Sequence, residues 1–275
     1  MLFADDANMY ITNKNLPELF QDLEIGMTEL STWFRNNKLS LSLEKNQYTI
    51  FHPPRKKIPN TYDSILLNRT KIHKAHSVKY LGMIIDETLS WTEHINNLKN
   101  SLKKLASSFK IIKHFLPNKS KKNLYYAYAY SKIQYGIEVY GSGKLGPTKQ
   151  IQILKNRILK TLYNKDWLTP TTLLHKELNL HMVKDIHNLQ INKFVYKYLH
   201  NELPPPFMHY FTLNRDTHDH NTRNNKQIHI DSTHSVHTVK VIGARTYNNI
   251  PETIRESNTL NTFTAKLKTH LMKQY

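Results

Sequence analysis

The chain has 275 residues, enough to bury a sizeable core in one or two domains. Lys and Arg number 39 against 21 for Asp and Glu, a formal charge of +18 that favours polyanionic partners, nucleic acid ahead of an anionic membrane surface. Cysteine is absent, which excludes disulfides, cysteine-ligated zinc and thiol catalysis, and no stretch approaches the ~20 apolar residues that span a bilayer.

Met1-Leu2-Phe3-Ala4 and Met9-Tyr10-Ile11 are short apolar runs separated by a polar stretch that starts with Asp5-Asp6. The pattern predicts a β-hairpin with both aspartates at or next to its tip. Adjacent like charges repel, and hard divalent cations bind through carboxylates together with substrate phosphates. The tip therefore suits a Mg²⁺-dependent phosphoryl-transfer site, although an Asp-Asp dipeptide by itself is in most proteins an ordinary turn, because Asp is a favoured turn former. The N-terminus lacks a basic region followed by an apolar one, so no signal peptide is expected and the location is read as intracellular, nucleus or cytoplasm.

A helix is predicted over Leu16–Asn36, with Asn15 as its cap and Pro17 in its first turn. Leu16, Leu19, Phe20, Leu23, Met27, Leu30 and Phe34 recur there at helical spacing. Residues 39–43 alternate as a half-buried strand should, and 47–51 read as its continuation or partner. Further short strands are expected at 64–67, 70–73 and 78–85, which makes the first part an α+β unit whose helix covers a mostly antiparallel sheet.

After Trp91 the pattern turns helical. Ile95, Leu98, Leu102, Leu105, Phe109, Ile112 and Leu116 form one apolar stripe. Lys99, Lys103, Lys110 and Lys113 lie beside it within about a quarter turn, at ~3.6 residues per turn. Such a stripe suits a phosphate backbone and, equally, a solvated lysine face. Helices are predicted over 118–140, dense in tyrosine, and over 148–163, 170–178, 183–203 and 259–273. Pro204-Pro205-Pro206 marks a boundary, and 215–238, polar and rich in His and Asn, reads as an exposed loop. Gly141-Ser142-Gly143-Lys144-Leu145-Gly146 spells a dinucleotide fingerprint but has helical segments on both sides, so it reads as a helix–helix turn. His218-Asp219-His220 is a weak metal signal in loop-like surroundings.

Phe3-Ala4-Asp5-Asp6 in an apolar hairpin resembles the (Tyr/Phe)-x-Asp-Asp motif of reverse transcriptases, in the spelling of the non-LTR, LINE-type retrotransposon branch. Later segments support the resemblance in the expected order. Residues 37–45 resemble the lysine-bearing strand region after the catalytic hairpin, although Ser42-Leu43-Glu44-Lys45-Asn46 departs from the Asn-x-x-Lys-(Thr/Ser) form at both ends. Val78-Lys79-Tyr80-Leu81-Gly82-Met83-Ile84-Ile85-Asp86, followed by Leu89-Ser90-Trp91 and His94-Ile95, resembles the primer-grip hairpin and the entry to the thumb. Residues 135–141, 220–223, 243–248 and 250–251 resemble the helical region beyond the thumb and the C-terminal tail.

The resemblance implies an α+β fold: a partial palm with antiparallel hairpins and one covering helix over 1–91, a mostly α-helical thumb and post-thumb region over 92–203, and a tail over 204–275. It implies that Asp5 and Asp6 bind Mg²⁺ as catalytic and metal residues. Lys45 would act near the leaving pyrophosphate, Tyr80, Leu81 and Gly82 would bind the primer, and Lys99, Lys103, Lys110 and Lys113 would hold the nucleic-acid backbone. Partners would be an RNA template and a DNA primer, with no membrane and no small-molecule cofactor beyond nucleotides and metal. The fingers and the first palm aspartate, which precede this hairpin in the family, have no counterpart in the sequence, so the chain alone is expected to be an inactive fragment. An alternative of another class is a non-catalytic, basic nucleic-acid-binding remnant.

Overall fold

The computed structural model describes residues 2–3, 6–39, 46–67, 70–142, 146–217, 227–230 and 235–274. They fall into two units, Met1–Leu89 and Ser90–Tyr275, each taken here by itself. The architecture mixes helices with small antiparallel hairpins, as expected of an α+β chain.

In the first unit β1 (Leu2–Phe3) pairs antiparallel with β2 (Asp6–Ala7), Leu2 opposite Ala7 and Phe3 opposite Asp6. The second apolar run does not extend this hairpin. Residues 8–13 carry no strand, and Met9 and Ile11 lean instead on α1 (Leu16–Asn36), within 4 Å of where a Cβ on Gly26 would sit. A glycine there lets the two segments approach closely. The helix occupies the predicted span, with Pro17 in its first turn. Asn15, however, makes no capping bond to the backbone. Its side chain donates to Glu18, and its own N–H is taken by Asn13.

β3 (Ser64–Leu67) and β4 (Thr70–His73) form the second hairpin, with Ile65 opposite Ile72. Period-2 alternation turns Ile65 and Ile72 inward, where Phe20, Leu23 and Met27 of α1 and Tyr48 pack on them. The segment 47–51 contributes only an isolated bridge, Tyr48 to Lys74, and the predicted strand 39–43 lies largely outside the described residues. Tyr48 donates to the Tyr62 carbonyl at 2.6 Å, and burial, reinforced by Asp63, pushes its hydroxyl up to about 12. This core is thin. No residue of α1 is fully buried, and Ile25 is 61% exposed.

Residues 78–85, read from their apolar run as one strand and from the resemblance as a hairpin, form a third hairpin of β5 (Ser77–Tyr80) and β6 (Met83–Asp86). Glu87 closes its open end. Its carboxylate faces Lys74 at 3.2 Å and His76 at 3.0 Å, and its backbone bonds to His52 and His76. Burial would raise the Glu87 carboxyl, but hydrogen bonds from His76 and Lys74 outweigh it and hold the carboxyl below its ordinary range.

In the second unit α2 (Thr92–Ile112) follows directly on Trp91, whose backbone is left-handed (φ 61°). Ile95, Leu98, Leu102 and Phe109 of the predicted stripe are buried, joined by His94 and Ala106, whereas Leu105, Ile112 and Leu116 are only half-buried. The predicted helix over 118–140 is segmented. α3 (Asn118–Leu124) runs into a π-helical turn, Tyr125–Tyr130, then α4 (Ser131–Gln134), and Gly136 (φ 67°) turns the chain into α5 (Ile137–Tyr140). Its tyrosines divide. Tyr125 and Tyr140 are buried and Tyr130 is half-buried, whereas Tyr126, Tyr128 and Tyr135 are exposed.

α6 (Gly146–Leu162) packs along α2, and α7 (Thr171–Leu178) leads into α8 (Val183–Leu199). Helices α5 and α6 flank the glycine-rich stretch 141–146, as expected, and residues 143–145 of it lie outside the described residues. α8 is buried on nearly every side, which fits its weak amphipathic pattern, because a helix surrounded by protein needs no polar face. It touches α4, α5 and α6, and also α9 (Val239–Asn248) and α11 (Leu260–Met272). Residues on both sides of Pro204–Pro206 therefore build one core: Leu189, Val195 and Tyr196 before it, and Phe211, Tyr247, Phe263 and Leu267 after it. The Tyr196 ring stacks on Phe263 at 4.6 Å, and its hydroxyl donates to the Ser257 carbonyl at 2.7 Å.

The His/Asn-rich stretch is not uniformly exposed. Ile228 is buried, and Asn248 both accepts from its N–H and donates to its carbonyl.

A buried polar knot joins α6, α7 and α8. Helical spacing puts Lys155 on the apolar arc of α6, beside Ile151, Ile158, Leu159 and Leu162, and it is fully buried. Its ammonium donates to the His181 carbonyl and lies 5.7 Å from the centre of the Tyr125 ring. Gln152 accepts from the Val183 N–H at 2.6 Å, satisfying an orphan donor of α8. His175 donates from Nδ1 to the Leu180 carbonyl at 2.9 Å, and its Nε2 faces both the Asn156 Oδ1 at 3.0 Å and the Gln152 amide nitrogen at 3.2 Å. Burial pushes Lys155 down to about 7, with Asp185 pulling the other way. His175 falls to about 4 through burial and then the Lys155 charge, and His187 falls to about 4 through burial.

Candidate nucleic-acid interface

Asp5 and Lys45 lie outside the described residues, as does His218-Asp219-His220. Asp6 is placed by its backbone only, at the start of β2 opposite Phe3. Among the described residues no group of three or more His, Asp or Glu side chains converges as a metal cage would.

Tyr80, Leu81 and Gly82 come together at the tip of the third hairpin. Tyr80 pairs with Met83, so Leu81 and Gly82 are the two central turn residues, and both have positive φ, 44° and 81°. Two left-handed positions match the right-handed twist of the flanking strands, and glycine takes the second without a Cβ clash. The turn by itself thus accounts for a glycine at 82. It leaves Gly82 exposed and Leu81 half-buried, while the Tyr80 ring meets Tyr10 edge-on at 6.4 Å.

The four lysines are placed by one helix and its continuation. Lys99, Lys103 and Lys110 belong to α2, and Lys113 opens the 3₁₀ turn that follows. Lys103 and Lys110 are exposed, and Lys99 and Lys113 are half-buried. The row flanks the buried stripe on the side where α6 lies, since Lys99 donates to the Gln150 side chain of α6 and to Asn96. Exposed ammonium groups on a rigid helix can neutralise successive phosphates without paying to order a loop. Sequence reading missed the buried Lys155–His175–Gln152 knot. The signal was a lysine at helical spacing inside an apolar arc.

These features describe a basic chain with a tight hairpin in its first unit and a helix-borne row of lysines in its second. Comparison with known proteins then supports the resemblance read from Phe3–Asp6 and Tyr80–Ile95. Homologues of the chain are RNA-directed DNA polymerases of Drosophila mobile elements. It is 23% identical over 204 residues to the probable RNA-directed DNA polymerase from transposon X-element of Drosophila melanogaster, covering 71% of this chain and 21% of that protein. It is 24% identical over 202 residues to the corresponding protein from transposon BS, and 23% identical over 186 residues to that from mobile element jockey. The chain spans about a fifth of the length of the curated relatives it matches. No family model and no solved structure matches it. Among the described residues, no helix is long and apolar enough to cross a membrane.

Proposed function

We propose that the chain forms the C-terminal part of the polymerase of a non-LTR retrotransposon, residues 1–91 completing the palm, 92–203 forming the thumb and post-thumb region, and 204–275 the tail. The similarity over about 70% of the chain to mobile-element RNA-directed DNA polymerases carries this reading. Asp5 and Asp6 would share Mg²⁺ with a further aspartate, and bound metal would stabilise the charge that develops as pyrophosphate leaves. Lys45 would neutralise charge or donate a proton at the leaving group. Tyr80, Leu81 and Gly82 would seat the primer, and Lys99, Lys103, Lys110 and Lys113 would hold the backbone of the template–primer duplex.

Two carboxylates on one hairpin do not complete a two-metal cage, so the chain alone binds nucleic acid and does not extend a primer. Primer extension by the purified chain, abolished by Asp5→Asn, would overturn the inactive reading. For binding, replacing Lys103 and Lys110 by Gln removes two backbone charges. On duplex this lowers the slope of log affinity against log salt by roughly 2. An unchanged slope would take the α2 lysines out of the interface.

A further inference from the structure

The loop that joins α6 to α7 presents an indole to solvent on a fixed support. Trp167 is 71% exposed, as much as a surface lysine, although the chain has deep apolar cores available. The support is tied at several points. Lys160 Nζ donates to the Trp167 carbonyl and lies 5.5 Å from the centre of its ring. The Lys165 N–H bonds back to the Lys160 carbonyl, and Asn164 takes the left-handed conformation the turn needs. The Asp166 carboxylate accepts from the Leu168 N–H at 2.7 Å, which uses it inside the loop. Lys165 and Glu177 neutralise one another at 2.5 Å. Lys160 is left as the cation beside the ring.

The same loop ends a surface track. Gln150, Ile153, Arg157 and Lys160 fall within about a quarter turn of one another on α6, opposite its buried arc, and span about 15 Å along the axis. Ile153 is 63% exposed and Arg157 is exposed. At the far end Gln150 receives Lys99 of α2, so the track begins at the lysine row and finishes at Trp167.

We propose that this face of α6, with Trp167 at its end, is a binding track for an unpaired nucleic-acid strand, one base stacking on the Trp167 indole while Arg157 and Lys99 meet the backbone. Cations at both ends of the track and an exposed ring are what a single strand needs, because every unpaired base offers a π-face and every nucleotide a phosphate. A duplex keeps its bases stacked inside and has no use for an upright indole. The inference rests on the nucleic-acid reading above and adds to it the strand state and the residue that recognises it. A second copy of the chain is the competing occupant, since Leu168 beside the indole is 85% exposed.

The test is the affinity of the purified chain for a labelled 12-residue oligothymidylate, by fluorescence anisotropy, for wild type, Trp167→Phe and Trp167→Ala. Loss of one stacked base weakens binding roughly tenfold for Trp167→Ala, while Trp167→Phe keeps most of the affinity. Oligonucleotide addition quenches indole emission in wild type, and the quench disappears in Trp167→Phe. Arg157→Gln reduces the salt slope by about 0.7. Equal affinity of wild type and Trp167→Ala overturns the track and leaves the nucleic-acid reading standing. Wild-type chain that binds no oligonucleotide and no duplex overturns both. Self-association in sedimentation that Trp167→Ala abolishes, with oligonucleotide affinity unchanged, assigns the loop to a second copy instead.

Discussion

Acidification tests the buried knot directly. His175 and His187 are neutral in the fold, both pushed down to about 4, whereas the unfolded chain titrates near the ordinary 6.5. Between these values the unfolded state binds more protons, so stability is complete above about 6.5 and falls as the pH drops towards 4. Each histidine contributes a slope of about 1.4 kcal/mol per pH unit in that window, or roughly 3 kcal/mol across it. His181, also pushed down to about 4 by burial and then by Lys155 and Lys268, is only half-buried, so its share is discounted. A loss on the order of 5 kcal/mol is comparable to the whole stability of an ordinary domain. Urea unfolding followed by circular dichroism at pH 7.5, 6.0, 5.0 and 4.5 measures it. His175→Asn keeps a donor for the Leu180 carbonyl but cannot protonate. Its stability curve runs flatter by about 1.4 kcal/mol per pH unit, at some cost near neutrality. An identical slope in wild type and variant would refute the assignment of His175 as a buried neutral imidazole.

Two further outcomes follow from the same geometry. Lys155 titrates near 7 in the fold and near 10.5 unfolded, so the unfolded state again holds more protons and stability rises as pH climbs from 7 towards 10. Lys155→Met abolishes that rise, which denaturant unfolding at pH 7, 8.5 and 9.5 detects. Gly82→Ala places a Cβ at φ 81° and costs about 1–2 kcal/mol of hairpin stability, read as faster amide exchange at Tyr80 and Met83.

Much of the first 112 residues was legible because local chemistry decides it. The helix Leu16–Asn36, the strands 64–67 and 70–73, and the buried stripe of α2 follow from period-3.6 and period-2 spacing that neighbours only confirm. The lysine row was legible for the same reason, since helical angle alone fixes it beside Ile95–Phe109. Met9-Tyr10-Ile11 was misread as a strand because its apolar residues pack on Gly26, a tertiary partner that alternation cannot reveal.

The second unit depended on tertiary structure. The sequence alone determined that this chain is basic, helical after Trp91 and similar to mobile-element polymerases, because composition, periodicity and short motifs are local properties. Only the fold decided that α8 is central, that the chain before and after Pro204–Pro206 shares a core, and that Lys155 and His175 are sealed inside. It also decided that Trp167 stands outside, tied to Lys160 across a turn. Burial is a property of what surrounds a residue, and one chain segment does not carry its surroundings in its own sequence.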